Sequence, residues 1–363
     1  GRNATAGVVN VVSAKPTDQF EAMASADIGN YGNRRLEGMI NVPIVDDRLD
    51  IRVAGEWTKR QGYSFNEDDN ERIDGRDLWS GRVSIGFKPS PKLDVNFVWE
   101  HFSEDDDRMR TAKQLCKTAQ NPTVVDGVPV SIASIDGSGT NRVQDPDGYL
   151  DQGCLPTSLY SPDAFEVPNG DSLPYYQGLE QIGAPIQGGD FASFDPYAST
   201  TQSRNLRVIE SSINPKYRAK NDTLELNADY QVTPALALTS QTGYNQDFLW
   251  STEDYNRFNT APGVFVYNLH NDSAHNGIIL PDPAAGHNGV PADAGIFCDP
   301  QLGCSDRLVA QDLSDEHAWQ LSQEFRLASN FSGPLNFSIG GSYLHYETEE
   351  NYYVFINTLT QFK

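Results

Sequence analysis

Carboxylate side chains are the most abundant groups in this sequence that could bind a metal ion or transfer a proton. The chain of 363 residues has 50 Asp and Glu against 27 Lys and Arg, which gives a formal net charge of −23. The densest group runs from Glu104 to Asp107, and its oxygens are of the type that calcium prefers. The run lacks the ligand spacing and the glycine of an EF-hand loop. We therefore predict a solvated acidic loop here, with a calcium site as the alternative.

Five further carboxylates occupy the polar positions of alternating segments, namely Glu56, Asp94, Glu100, Glu225 and Asp229. A glycosidase needs two carboxyl groups about 5 Å or about 6.5–9.5 Å apart, and a sequence does not reveal such distances. Charged groups that line a hydrated surface need no catalytic role. We therefore expect no enzyme activity, and a secreted all-β hydrolase is the alternative.

Two histidines, His101 and His345, fall near the ends of predicted strands. Imidazole is a ligand of haem iron and of other metals, so metal or haem capture is one interpretation. The other interpretation is an interfacial position among the aromatic residues of the strand ends, and we favour it. We predict no cofactor.

The four cysteines form two pairs that are close in sequence, Cys116 with Cys154 and Cys298 with Cys304. Both pairs lie in loop-like sequence, and an even count favours disulfides in an oxidising compartment. A zinc site is the alternative, although no histidine has zinc-finger spacing from these cysteines. We expect two disulfides, each within its own independent loop.

The charge and hydropathy of the chain exclude two classes of protein. Nucleic-acid binding requires clustered Lys and Arg, which a strongly acidic chain does not provide. The mean hydropathy is −0.52 and no run of about 18 apolar residues occurs, so no transmembrane helix is predicted. A hydropathy test does not detect a transmembrane β-barrel, because the lipid-facing residues of its strands alternate with polar ones.

Alternation of apolar and polar residues is the dominant pattern of the chain. The segment Leu49–Thr58 reads LDIRVAGEWT, which places apolar side chains on one face and charged side chains on the other. About nine such runs occur, and each predicts a strand with one apolar and one wet face. We expect one antiparallel, open all-β sheet of about nine strands, with Val53, Val95 and Leu321 on the apolar face. Their neighbours Ala54, Asn96 and Ser322 belong to the polar face.

Short and long connections alternate between these strands. Prolines mark four short turns, at Pro43, Pro89 to Pro91, Pro234 and Pro334. Three connections at the opposite end are long, at about residues 59–76, 104–221 and 250–316. Short periplasmic turns and long extracellular loops are typical of outer-membrane β-barrels. A large soluble β-sandwich is the alternative, in which the apolar face meets a second sheet.

The start of the chain resembles a known family. Residues 1–13 read GRNATAGVVNVVS, with Gly1, Arg2, Asn3, Gly7 and Asn10 at the positions of a recurrent motif. This segment is similar to the end of the plug domain of TonB-dependent outer-membrane receptors. The segment Gln323–Ser329 (QEFRLAS) is similar to a barrel strand of that family, and Ala54–Glu56 with Gln61–Tyr63 resembles its third strand and loop.

The resemblance implies a barrel of about 22 strands around a plug. It implies residues 1–17 as the end of the plug and residues 18–363 as the N-terminal part of the barrel, within an internal fragment of a longer receptor. The implied partners are outer-membrane lipid, TonB through the missing N-terminal plug, and an extracellular small molecule such as a ferric siderophore. The implied location is the Gram-negative outer membrane. A passive porin-like or adhesin-like barrel is the alternative, but it needs no plug.

Overall fold

Nine long strands form the framework of the molecule. The computed structural model describes residues 12–120, 153–170, 200–254 and 297–357, with shorter pieces at 7, 124–125, 127–129, 197, 258–262 and 360. The long strands are β1 Glu21–Gly29, β2 Asn33–Val45, β3 Leu49–Arg60, β4 Arg76–Ser90, β5 Leu93–Asp106, β6 Lys216–Thr233, β7 Leu236–Asp254, β8 Ala310–Ser329 and β9 Ser338–Ile356. No helix in these described ranges is long and apolar enough to cross a membrane.

The nine strands make one sheet in chain order. Each strand pairs antiparallel with the next, so β1 and β9 are the edges and the sheet is open. The predicted open antiparallel sheet of about nine strands is confirmed. Elsewhere in the described part of the chain the sheets have only two or three strands. A second sheet of sandwich size is therefore absent from that part.

Cross-strand register divides the sheet into two faces. Because successive side chains of a strand point to opposite faces, residues that are directly opposite across the ladder share a face. One row crosses all nine strands and defines the apolar face: Ala22, Ile40, Val53, Val83, Trp99, Leu224, Tyr244, Leu321 and His345. The adjacent row defines the polar face: Met39, Ala54, Arg82, Glu100, Thr223, Asn245 and Gln320.

The apolar face is not covered by the described residues. Val53 is 42% exposed and Phe325 is 53% exposed, although both lie within long strands. The largest side chains that are fully buried include Asn66 and Asn259 of the long connections and Glu253 at the loop end of β7. The buried residues of the described chain thus lie mainly in the loops and the adjoining strand ends, and the sheet contributes a bare apolar surface.

The two ends of the sheet differ in their connections. At one end, here called the turn end, β2 joins β3 through three residues and β4 joins β5 through two. The opposite end, here called the loop end, has one short turn at Asn30–Gly32 and three long connections, at 61–75, 107–215 and 255–309. Pro43 and Pro89 lie within the last three residues of β2 and β4, where the register shifts. Proline is tolerated at such positions because it has no amide to donate to the ladder.

Four strands extend further towards the loop end than the alternation predicted. Strand β5 continues to Asp106 and β6 begins at Lys216, which shortens the loop expected at residues 104–221. Strand β7 continues to Asp254 and β8 begins at Ala310, which shortens the loop expected at 250–316. Backbone pairing persists where both faces have become polar, so the hydropathy pattern no longer marks the strand.

Asn41 attaches the segment before β1 to the polar face. Its side chain is fully buried and donates to the carbonyl oxygens of Thr17 and Gln19 at 2.8 and 2.6 Å. The Thr17 amide donates back to Asn41 Oδ1 at 3.0 Å. One side chain therefore satisfies three backbone groups and fixes how the chain enters the sheet.

Candidate functional site: the polar face and the loop end

Arginine–carboxylate pairs occupy the polar face of the first five strands. Glu37 and Glu56 are directly opposite across β2 and β3, and two like charges in that position repel. The Arg35 guanidinium lies between them: its Nε donates to Glu56 Oε1 at 2.9 Å, and its Nη2 contacts Glu37. Arg35 thereby offsets the repulsion between the two glutamates and links β2 to β3.

Two further pairs follow the same pattern. Arg52 Nη1 lies 3.1 Å from Glu21 Oε2, and Arg82 Nε donates to Glu100 Oε2 at 2.8 Å. Each pair is partly solvated, so each contributes little stability, roughly 0–1 kcal/mol. Their combined effect is a surface that presents both charges in fixed positions.

A depression of about 340 Å³ lies on this part of the polar face. Its walls include Arg52, Glu56, Arg82 and Glu100, and Ala14 from the segment before β1 closes one side. Each of these charged groups is already paired: Arg82 with Glu100 inside the wall, and Arg52 and Glu56 with Glu21 and Arg35 beside it. The depression therefore suits a polar segment or ligand with several hydrogen-bonding groups.

The five candidate carboxylates do not converge on one reaction centre. Glu56 and Glu100 are held by arginines, and Asp229 accepts a hydrogen bond from Thr239 at 2.7 Å. Asp94 is directly opposite Asp229 near the turn end. Among the described residues no group of three or more His, Cys, Asp or Glu side chains is arranged to hold a metal ion.

The acidic run that begins at Glu104 is not a solvated loop, so that prediction is wrong. Residues 104–106 belong to β5, and the Glu104 side chain is only 3% exposed. Arg76 and Arg108 lie 3.9 and 3.4 Å from its two oxygens. The strand continues because these arginines neutralise a carboxylate that burial would otherwise disfavour.

Asp107, just beyond β5, fixes the adjacent loop. Its Oδ1 accepts a hydrogen bond from the Gly75 amide at 2.6 Å, and its carbonyl accepts one from the Asp74 amide at 3.1 Å. Burial raises the pKa of Asp107, and the hydrogen bond from Gly75 opposes this change. A Cβ at position 75 would lie 2.6 Å from Asp107 Oδ1, so a larger residue there would displace the Asp107 carboxylate.

Buried carboxylates join the long loops at the loop end. Glu253 and Asp312, on β7 and β8, both accept hydrogen bonds from the segment that follows β5. Arg110 supplies most of this contact, because its amide donates to Glu253 at 3.2 Å and its guanidinium contacts Asp312. Tyr352 of β9 donates to Asp312 at 3.3 Å. Arg110 thus links the loop after β5 to β7 and β8, and Tyr352 adds β9 to the same network.

A second network joins loops that are far apart in sequence. Asn66 donates to the Ser211 carbonyl at 2.8 Å and accepts from the Ser211 amide at 3.0 Å. Ser211 Oγ donates to Asp254 at 3.0 Å. Residues 208–209 also pair as a short parallel strand with Ser64–Asn66, although the residues around them show no clear alternation.

Both cysteine pairs are joined by disulfides in the structure. Cys116 and Cys154 are bonded with a Cα–Cα distance of 5.1 Å, and Cys298 and Cys304 with one of 3.8 Å. Cys298 and Cys304 are directly opposite in a small hairpin. No cysteine among them is free for metal binding.

The first disulfide lies in a small apolar cluster that contains residues from two long loops. Cys116 and Tyr197 come from the loop between β5 and β6, and Phe258 comes from the loop between β7 and β8. All three are buried. The expectation of independent loops is therefore wrong, because a ring from one loop packs on the disulfide of the other.

His101 and His345 lie on the apolar face beside indole rings. The His101 ring centroid is 4.8 Å from that of Trp79, and the His345 centroid is 4.7 Å from that of Trp319. His101 Nδ1 is also 2.9 Å from Asp222 Oδ1. Among the described residues neither histidine belongs to a group of three or more possible metal ligands.

The motif at the start of the chain is mostly outside the described residues. Gly1, Arg2, Asn3 and Asn10 are not described, and Gly7 is exposed. The arginines of the polar face were not among our candidates from sequence. Alternation places them on that face, but their partners follow only from the register.

No family model matches the chain. The siderophore receptor PiuA from Acinetobacter baumannii is 11% identical with a TM-score of 0.46, covering 93% of this chain and 32% of that chain. The ferric yersiniabactin uptake receptor FyuA from Yersinia pestis is 9% identical with a TM-score of 0.38, covering 96% and 46%. A chain of the RagAB peptide importer is 9% identical with a TM-score of 0.42, covering 90% and 25%. This chain thus spans less than half of each of the three.

Peptide mapping without reduction tests the covalent links and the loop packing. We expect the cross-linked peptides Cys116–Cys154 and Cys298–Cys304. Because Phe258 packs on the first disulfide, Phe258→Ala should speed proteolysis of the loop between β5 and β6. Leu159→Ala, a change at an exposed position of that loop, is the control. Mixed pairing, or equal effects of the two variants, would contradict the packing described here.

Two aspartates outside the strands should respond oppositely to pH. The pKa of Asp107 is raised by burial, so its ionisation destabilises the fold as pH rises through the folded pKa. Lys117, 2.7 Å away, lowers the pKa of Asp163 to about 2, helped by Ser161. The contribution of Asp163 is therefore present above its unfolded pKa and is lost as pH falls towards about 2.

The measurement is the melting temperature of the folded protein between acid and neutral pH. Asp107→Asn retains an acceptor for the Gly75 amide, so its melting temperature should rise relative to that of wild type as pH rises. Asp163→Asn should have a lower melting temperature than wild type at neutral pH, and the two melting temperatures should converge in acid. Parallel curves for both variants would show that neither shift exists.

Proposed function

We propose that this chain is part of the transmembrane β-barrel of an outer-membrane receptor that imports a scarce ligand with energy from TonB. The observation that carries the proposal is the apolar face, a continuous surface across nine strands that the described residues leave bare. An apolar surface of this extent is unfavourable in water, and hydrocarbon removes the penalty. Lipid is thus the proposed partner of that face.

The height of the apolar face supports a membrane-spanning role. On β3 it extends from Leu49 to Trp57, which is about 27 Å along a strand at about 3.4 Å per residue. A strand tilt of about 40° reduces this to about 20 Å, close to the apolar band of about 25 Å in outer-membrane barrels. Trp57 and Trp79 are opposite each other at its upper limit, as in an aromatic girdle.

The polar face and the edges support a barrel with an occupied lumen. Strands β1 and β9 have unpaired edges, and bacterial barrels close with further strands. We propose that residues 18–363 belong to such a barrel and residues 1–17 to the end of a plug. The paired charges around Arg35, Arg52 and Arg82 provide a hydrated wall for that plug or for a ligand.

The ligand that we propose is a ferric siderophore or a similar iron complex, captured at the loop end. Long loops are extracellular in such barrels, and here they are ordered by buried polar networks and a disulfide. The resemblance of residues 1–13 to a plug segment favours this function over a passive porin-like or adhesin-like barrel. No catalytic role is proposed.

Iron uptake by the complete receptor tests the function. Three strains are compared: one with the complete gene, one with the gene deleted, and one with the gene but without TonB. Each is supplied with radiolabelled iron complexes at limiting iron. We expect uptake only with both the receptor and TonB. Uptake that persists without TonB would identify a passive barrel, and the absence of any iron uptake would refute an iron receptor.

Arginine substitutions on the two faces test the membrane assignment. Arginine at Val53, Val95 or Leu321 should cost roughly 2–4 kcal/mol in the complete receptor, because these side chains would face hydrocarbon near mid-membrane. Arginine at Ala54, Asn96 or Ser322 should be tolerated, because the polar face is hydrated. The measurement is the amount of each variant in the outer membrane. Equal losses on both faces would instead indicate two buried sides.

A further inference from the structure

Three arginines and two tyrosines meet at the loop end from three different connections. We call Tyr31, Arg60, Tyr63, Arg72 and Arg207 the arginine–tyrosine cluster. Tyr31 lies in the turn between β1 and β2, Arg60 ends β3, the next two follow β3, and Arg207 precedes β6. The two rings are perpendicular, with centroids 4.9 Å apart.

Each guanidinium of the cluster lies against a tyrosine ring. The Arg60 and Arg207 Cζ atoms are 3.8 and 5.6 Å from the centroid of Tyr63, and the Arg72 Cζ atom is 5.2 Å from that of Tyr31. Aromatic rings attract cations in this way but provide no hydrogen-bond acceptor in the plane of the guanidinium. Most of the N–H groups of these arginines are therefore available to another partner.

That partner is not a carboxylate of the described residues. None of the three arginines has a described carboxylate within 4 Å, whereas Arg35, Arg52, Arg76, Arg82, Arg108, Arg110, Arg218 and Arg307 all do. Among the described residues Arg60 donates to the carbonyls of Gln61 and Asp74, and Arg207 donates to the Tyr31 hydroxyl at 3.4 Å. This is unexpected in a chain with a net charge of −23.

The nearby acids are engaged elsewhere. Asp105 pairs with Arg218, Asp106 accepts from the Asp77 amide, and Asp107 accepts from the Gly75 amide. These acids border the depression next to Arg60 and Arg72. Glu71 and Asp77 line the same depression and are engaged by Asn214 and Lys59. The three guanidiniums thus lie close together with no described carboxylate in direct contact, and a bound anion would relieve their mutual repulsion.

The backbone holds the cluster in place. Tyr31 has a φ of 60°, a left-handed conformation that is unusual for a bulky residue. Its carbonyl accepts from the Gln61 amide at 2.8 Å, and the Arg207 carbonyl accepts from the Phe65 amide at 2.7 Å. The three connections are thus joined by backbone hydrogen bonds, and strain at Tyr31 is maintained to present its ring.

We propose that the arginine–tyrosine cluster binds an oxyanion-rich, negatively charged ligand. Resting on the function proposed above, this assigns the cargo to anionic iron complexes of catecholate or carboxylate type. Three dianionic catecholates leave a ferric complex negative, whereas three hydroxamates leave it neutral. Guanidinium groups donate paired hydrogen bonds to such oxygens, and a catechol ring also stacks on tyrosine.

Binding to the complete receptor in detergent tests the assignment. The probes are a ferric tris-catecholate, ferric citrate and a neutral ferric trihydroxamate, and tryptophan fluorescence reports their affinities. Arg72→Gln and Arg207→Gln should each weaken binding of an anionic complex about tenfold, the usual loss for a charge-assisted hydrogen bond. Arg34→Gln removes an exposed arginine outside the cluster, has no ion pair among the described residues, and should change affinity less than about twofold.

The outcomes separate the two proposals. Preference for the tris-catecholate or for citrate, with sensitivity to Arg72 and Arg207, supports the assignment and identifies the oxyanion. Equal losses in Arg34→Gln, or TonB-dependent uptake of the trihydroxamate alone, overturn the assignment and leave the receptor function intact. Failure to bind any iron complex overturns both. Tyr63→Leu, which removes the ring that holds Arg60 and Arg207, should also weaken binding of an anionic complex.

Discussion

The pairing register of the nine-stranded sheet determines where each functional group of this protein lies. A shift of one residue would move every side chain of a strand to the opposite face. In the observed register, Ile40, Val53 and Val83 continue one apolar row, while Met39, Ala54 and Arg82 continue the adjacent polar row. The same register places Glu37 opposite Glu56, which explains why Arg35 lies between them.

The loop end is stabilised by a different kind of interaction. Few apolar residues are available there, and buried acids instead accept hydrogen bonds from the backbone of neighbouring loops, as Glu253 does from Arg110 and Thr111. A buried carboxylate is costly unless it is neutralised and fully hydrogen-bonded. Arg110 meets both requirements for Glu253 and Asp312, which makes the loop arrangement specific.

The strands and their faces could be predicted from sequence, because a sheet with one apolar and one polar face requires apolar and polar residues to alternate along each strand. The limit of that information is visible at β5 and β7, where residues such as Asp106 and Glu253 pair in the ladder although both faces are polar. The loop contacts could not be predicted, because Asn66 and Ser211 are 145 residues apart and neither has a periodic neighbourhood. The arginine–tyrosine cluster has the same origin, since its members meet only after three connections have folded.

The contacts of Arg110 limit how this protein can evolve. Its segment precedes β6, yet its partners Glu253 and Asp312 belong to β7 and β8. Replacing the long loop after β5 by one from another protein would leave two buried acids without their cation. New loops can therefore be acquired only as a matched set. Small changes would instead be tolerated on the outer surface of an otherwise unchanged loop assembly.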